Sequence, residues 1–122
     1  MTQTWILVAD GSHARLFQTV ANEGPWRLAR KLDREHSREK TNRNDSREDR
    51  GEHDFARLLA AELETQRQAG DFARLVIVAP PVFLGQLRGE LKAPLEACVV
   101  RSQDADYTHM SDADLVKHVD IS

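Results

Sequence analysis

The stretch Thr4–Phe17, TWILVADGSHARLF, decides the fold. It holds two apolar runs, Trp5–Ala9 and Ala14–Phe17, separated by the polar turn Asp10-Gly11-Ser12-His13. The first run is apolar and rich in β-branched and bulky side chains without helical period. That pattern predicts a buried strand closed by Asp-Gly. The second alternates, with Arg15, Phe17 and Thr19 on one side and Leu16, Gln18 and Val20 on the other. Asp-Gly supplies the positive φ that a tight connection needs, so the two runs form a hairpin. A second turn cluster, Asn22-Glu23-Gly24-Pro25, introduces a third strand over Trp26–Leu32 and completes an antiparallel meander.

Outward from the meander, the character of the chain changes. Residues 33–51 carry almost no apolar side chain and are made of Arg, Glu, Asp, Asn, Ser and Lys. Such a segment cannot bury enough surface to offset the entropy of ordering, and it is expected to be a flexible charged loop. Ser46-Arg-Glu-Asp49 fits a helix-capping pattern and marks where the loop runs into a helix. Phe55, Leu58, Leu59, Leu63 and Gln66 then recur at helical spacing, and Gly70-Asp71 stops the helix. Arg74–Ala79, RLVIVA, has no polar alternation and reads as a central strand covered on both faces. Pro80-Pro81 ends it and opens a second helix with Phe83, Leu84, Leu87 and Leu91, which Pro94 breaks. Leu95–Val100 reads as a strand and Ser102–Asp106 as a polar link. Ser111-Asp-Ala-Asp114 caps a short final helix bearing Leu115, Val116 and Val119. The order β-β-β-α-β-α-β-α implies an α/β fold with a mixed five-stranded sheet, as in ribonuclease H-like folds, in one domain spanning residues 1–122.

Composition narrows the function classes. No run approaches the roughly 18 apolar residues of a membrane helix. The opening MTQTWILVAD has no basic leader and only a short apolar run, which does not fit a secretory signal. One cysteine, Cys98, excludes a disulfide framework and fits a reducing compartment, so the expected location is the cytoplasm. The net charge of −3 is unevenly distributed. Residues 27–50 hold nine Lys/Arg against six Asp/Glu, and the rest of the chain is net acidic.

Two features carry candidate chemistry. At the hairpin tip, Asp10, Ser12 and His13 share one turn. If the first strand lies beside Arg74–Ala79, that turn stands at the carboxyl ends of parallel strands, where ligands collect in open α/β sheets. Asp10 and His13 could act there as an acid–base pair in a hydrolase. Equally, Asp10 could do no more than accept hydrogen bonds from the backbone of its own turn. A two-metal nuclease needs several carboxylates converging on cations about 4 Å apart. Asp10 supplies one, and Glu52, Glu62 and Glu64 lie in the first helix. The strand end Val78-Ala79-Pro80-Pro81, however, offers none. His13, His36, His53, His109 and His118 fall in no ligand spacing, and Cys98 reads as a small core residue, so neither a metal nor another cofactor is expected. Walker, G-x-G-x-x-G and G-x-S-x-G motifs are absent from the sequence.

The second feature is the charged loop. Arg34, Arg38, Lys40, Arg43, Arg47 and Arg50, with Arg15 near the hairpin tip, form a candidate nucleic-acid-binding set that would contact phosphates of RNA or the ribosome. Interleaved Asp and Glu also allow a merely solvated loop. With no aromatic between Trp26 and Phe55, the loop itself cannot stack bases. An exposed edge strand, common in small α/β domains, would provide a route to a homodimer.

Three stretches together resemble one bacterial family. They are Trp5–Asp10 continuing to Ala14-Arg15-Leu16-Phe17, then Leu75-Val-Ile-Val-Ala-Pro-Pro-Val-Phe-Leu-Gly-Gln-Leu-Arg88, and Asp106-Tyr-Thr-His-Met-Ser-Asp112 leading to Leu115 and His118. The chain resembles the host attachment protein family, proteins required for attachment to host cells, over nearly its whole length. That family is similar to the middle domain of archaeal and eukaryotic peptide-chain release factors. The resemblance implies a release-factor-like α/β sheet and a translation-linked role. The release-factor domain hydrolyses peptidyl-tRNA through a Gly-Gly-Gln loop, and no such triplet occurs in this sequence. The reading that follows is a non-enzymatic cytoplasmic domain associated with RNA or the ribosome. The alternatives are a hydrolase or nuclease-like enzyme using the Asp10-Ser12-His13 turn, and a factor required for attachment to host cells.

Overall fold

The computed structural model describes residues 3–20, 23–33 and 48–119. Five strands form one sheet: β1 (Gln3–Ala9), β2 (His13–Val20), β3 (Glu23–Asp33), β4 (Arg74–Ala79) and β5 (Val99–Asp104). Helix α1 (Glu48–Gln68) joins β3 to β4; α2 (Pro81–Gly89) and a single turn, α3 (Ala93–Glu96), join β4 to β5; α4 (Asp112–His118) follows β5. Across the sheet the order is β3-β2-β1-β4-β5. β1 pairs antiparallel with β2 and parallel with β4, and β4 pairs parallel with β5. The sheet is therefore mixed, as the apolar runs predict.

The two runs without polar alternation occupy the middle. Ile6, Leu7, Val8, Val76, Ile77 and Val78 are fully buried, because each face of the sheet is covered over β1 and β4. On one face Trp5, Leu7, Leu75 and Ile77 pack with Phe55, Leu59 and Leu63 of α1 and with Phe83 and Leu87 of α2. On the opposite face Ile6, Val8, Phe17, Val76 and Val78 pack with Leu115 and Val119 at α4. Helix α1 ends where Gly70 adopts φ +81°. The N–H of Asp71 donates to the carbonyl of Gln66 and that of Gly70 to the carbonyl of Arg67, which satisfies two of the orphan carbonyls of the last turn.

The last strand differs from the sequence expectation. Leu95 belongs to α3 and Cys98 to the turn after it, and the strand runs on through Ser102-Gln103-Asp104. A proline in the first turn favours the helical start of α3, whose Leu95 supplies the buried side chain that otherwise reads as strand. β5 lies at the sheet edge, where half-solvated positions need no apolar pattern. The register passes from Leu75↔Val99 to Val76↔Arg101, which makes Val100 an extra, bulged residue and leaves it 47% exposed. Of the loop expected over 33–51, Asp33 belongs to β3 and residues 48–51 to α1, while residues 34–47 lie outside the described residues.

Gly70 has no heavy atom within 4 Å of a built Cβ, so Gly70→Ala should cost only the left-handed backbone penalty, about 1 kcal/mol. Leu63→Ala, which empties a fully buried site, should cost about 2–5 kcal/mol. Urea titrations of both variants check the pair.

Candidate functional site

The parallel pairing of β1, β4 and β5 brings their carboxyl ends to one edge of the sheet. There the β1–β2 turn, Asp10–His13, meets the segment between β5 and α4. The side chain of Asp10 is engaged on both oxygens. Oδ1 accepts the backbone N–H groups of Ser12 and His13, each at 2.8 Å, and Oδ2 accepts the Thr108 hydroxyl at 2.9 Å. Burial alone would raise its pKa. The two backbone N–H groups, the Thr108 hydroxyl and the nearby His13 outweigh that effect and hold the carboxyl below its ordinary 3.8. A general base at neutral pH is tuned in the opposite direction. His13 Nδ1 stands 3.6 Å from Asp10 Oδ1, beyond a hydrogen bond, and its side chain is 66% exposed. Ser12 contributes its backbone N–H to Asp10.

Arg15 projects from β2 into the same junction. Its Nη1 donates to Asp112 Oδ1 at 2.6 Å, and its Nη2 donates to the carbonyls of Thr108 and Met110 at 2.8 and 2.7 Å. The guanidinium carbon lies 5.9 Å from the centroid of Phe17. A planar fork with several donors suits this clasp, which closes the 105–111 segment and the start of α4 onto the hairpin. Arg15 was a candidate phosphate contact; here its donors meet oxygens of the protein itself.

Beside this junction opens a groove of about 830 Å³. His13, Arg15, Lys31 and Asp33 provide its polar groups, and Ala14, Leu32, Leu58 and Met110 its apolar ones, with Thr108 at the junction. These residues come from β2, β3, α1 and the segment before α4. Sequence reasoning reached His13 and Arg15 but not the other groove residues. Lys31 and Asp33 look like ordinary ends of a strand, and Leu58 like one more core position of a helix. The motif Asp106–Asp112 was visible only as part of a resemblance.

The remaining candidates scatter. Arg34, Arg38, Lys40, Arg43 and Arg47, and with them His36, lie outside the described residues, and Arg50 falls in the first turn of α1. Glu62 pairs with Arg30 at 2.9 Å. Glu64 accepts from Arg67 and Gln68, which pull its pKa down to about 2. Among the described residues no three His, Cys, Asp or Glu side chains gather into a metal-ligand cluster. No described helix is long and apolar enough to cross a membrane.

These elements define a mixed α/β protein of the release-factor-like fold. Over 94% of its length the chain superposes on a structure described as an archaeal protein, with a TM-score of 0.56 and 9% identity, covering 36% of that chain. It superposes equally on the archaeal translation termination factor aRF1, with a TM-score of 0.55, 9% identity and 37% of that chain covered. The chain thus spans little more than a third of either structure. The family model described as "Protein required for attachment to host cells" matches residues 5–53 and 34–119, and the chain belongs to that family. No curated protein matches it in sequence.

Two measurements probe the junction. Asp10 has a lower pKa folded than unfolded, so its contribution is fully present above the unfolded value. It is lost as pH falls from about 3.8 through the folded value. Asp10→Asn should flatten the pH dependence of unfolding free energy in that acid window. Arg15→Lys, which cannot reproduce the forked contacts, should destabilise by about 2 kcal/mol and speed amide exchange in residues 105–111.

Proposed function

We propose that this protein is a non-enzymatic, cytoplasmic RNA- or ribosome-binding member of its family. The observation that carries the reading is the exposed cationic edge of β3. Arg27 and Lys31 are exposed, and neither has an acidic partner among the described residues. β3 leads at Asp33 into the stretch that holds Arg34, Arg38, Lys40, Arg43, Arg47 and Arg50. Cations on one edge attract phosphates despite a net charge of −3, because attraction at contact range follows local charge.

The state of the hairpin tip supports binding over catalysis. Asp10 is a low-pKa anion occupied by three donors, and Arg15 is occupied by three acceptors. Such groups hold a surface in shape. The likeness to an archaeal translation termination factor favours RNA as the partner, and the missing Gly-Gly-Gln triplet argues against peptide release. An effect on attachment to host cells, the property in the family's description, would then arise indirectly, from inside the cell.

Binding of a fluorescent single-stranded RNA, measured from about 50 to about 200 mM salt, tests the proposal. Affinity should fall with salt, and Lys31→Ala should reduce the slope of log K against log salt by about 0.7, the value for one contact on a single strand. Lys31→Glu should weaken binding further while leaving the protein monodisperse. Absence of binding at the lower salt, together with absence from ribosomal fractions, would overturn the reading.

A further inference from the structure

The sheet face that carries α4 is unevenly covered. Over β1 and β4 its side chains are fully buried, but towards the β3 edge cover runs out among the described residues, and Leu28 is 46% exposed. The register Phe17↔Leu28 and Arg15↔Lys31 sets Leu28 and Lys31 on this face, with Phe17 and Arg15. Arg30 instead pairs with Glu62 of α1 across the opposite face. Trp26 belongs to the same face, because its ring centroid lies 5.3 Å from that of Phe17 at an interplanar angle of 48°. Phe17 is itself only 1% exposed and has Arg15 beside its ring, so Trp26 rests on a rigid support and keeps part of its surface in solvent.

We infer that Trp26, Leu28 and Lys31 form a stacking platform for single-stranded RNA, with bases against Trp26 and Leu28 and a phosphate against Lys31. The inference rests on the RNA-binding reading and adds which form of RNA is bound and which surface takes it. A partly exposed indole on a fixed aromatic base offers stacking at little entropic cost, since the ring is already ordered. Every base has a π-face, so such a platform accepts single strands of varied sequence, whereas a duplex keeps its base faces stacked internally. Trp26 and Lys31 are five residues apart on an extended strand, about 16 Å at ~3.3 Å per residue. That span makes the two contacts fit neighbouring parts of one strand. Arg27, between Trp26 and Leu28 in sequence and opposite Gln18 in the register, is exposed on the other face and lies outside the platform.

The chain has two tryptophans, and Trp5 is 4% exposed within the core, so quenching of tryptophan emission by added RNA reports on Trp26. A short oligouridylate should quench the emission and bind more tightly than a duplex RNA of equal length. Trp26→Leu, which keeps an apolar cover on Phe17, should lose about 5- to 150-fold in oligouridylate affinity with an unchanged salt slope. Trp26→Phe, retaining a ring, should stay within a few-fold of the wild type. Salt-dependent RNA binding without quenching, or with Trp26→Leu binding as tightly as the wild type, would overturn the platform and leave the RNA-binding reading standing. Failure of any RNA to bind at low salt would overturn the platform, and together with absence from ribosomal fractions it would overturn both. Emission that shifts with protein concentration in the absence of RNA would assign the platform to a second copy of the chain and overturn the inference.

Discussion

Everything else in the structure follows from the parallel pairing of β1 with β4, two apolar strands buried on both faces. Parallel neighbours cannot be joined by a hairpin, so the chain must cross over, and α1 is that crossover. The crossover helix covers one face of the sheet with Phe55, Leu59 and Leu63. The opposite face must then be closed by something else, and α4, arriving last in the chain, does so with Leu115 and Val119. The same pairing gathers the carboxyl ends of β1, β4 and β5, and with them the Asp10 turn and the 105–111 segment, at a single edge.

At that edge the electrostatics are arranged for rigidity. Asp10 draws together its own turn and Thr108, and Arg15 draws together the 105–111 segment and α4. Both ions are partly buried; both carboxylate oxygens of Asp10 and both terminal nitrogens of Arg15 have named partners. That is the condition under which a desolvated charge stabilises a specific arrangement instead of weakening it. Because α4 is a short helix bearing few buried side chains, the forked bonds from Arg15 matter to its seating far more than a surface ion pair would.

How much of this the sequence reveals depends on how local each signal is. Apolar runs and caps are local, so β1, β2, β4 and α1 are legible, as is the Ser111 cap, whose hydroxyl accepts the N–H of Asp114. Asp10 bonding to its own turn is legible for the same reason. β5 is misplaced because an edge strand does not need apolar side chains, and because Leu95, inside a proline-started helical turn, and Val99, at the start of the strand, together mimic one continuous apolar strand. Arg15 is legible as a cation but not as a clasp: its partners Thr108, Met110 and Asp112 are more than ninety residues away, and no period or spacing encodes that meeting. The groove is hidden more deeply still, since its walls come from four segments of which each looks unremarkable alone.

The two edges of the sheet meet the same physical problem with different means. An edge strand exposes unpaired backbone groups and invites another strand to pair with it. On β5 a bulge at Val100 and a polar outer half blunt that tendency. On β3 the register breaks twice and the exposed cations Arg27 and Lys31 line the edge, so a second β3 approaching it would meet like charge. Repulsion between copies demands charge of either sign, and β5 shows that polarity and a bulge suffice without any concentration of cations. What β3 has beyond that requirement is the aromatic Trp26 placed against Phe17. Protection of an edge does not require the partly exposed indole, which is the feature that the proposed single-stranded RNA would use.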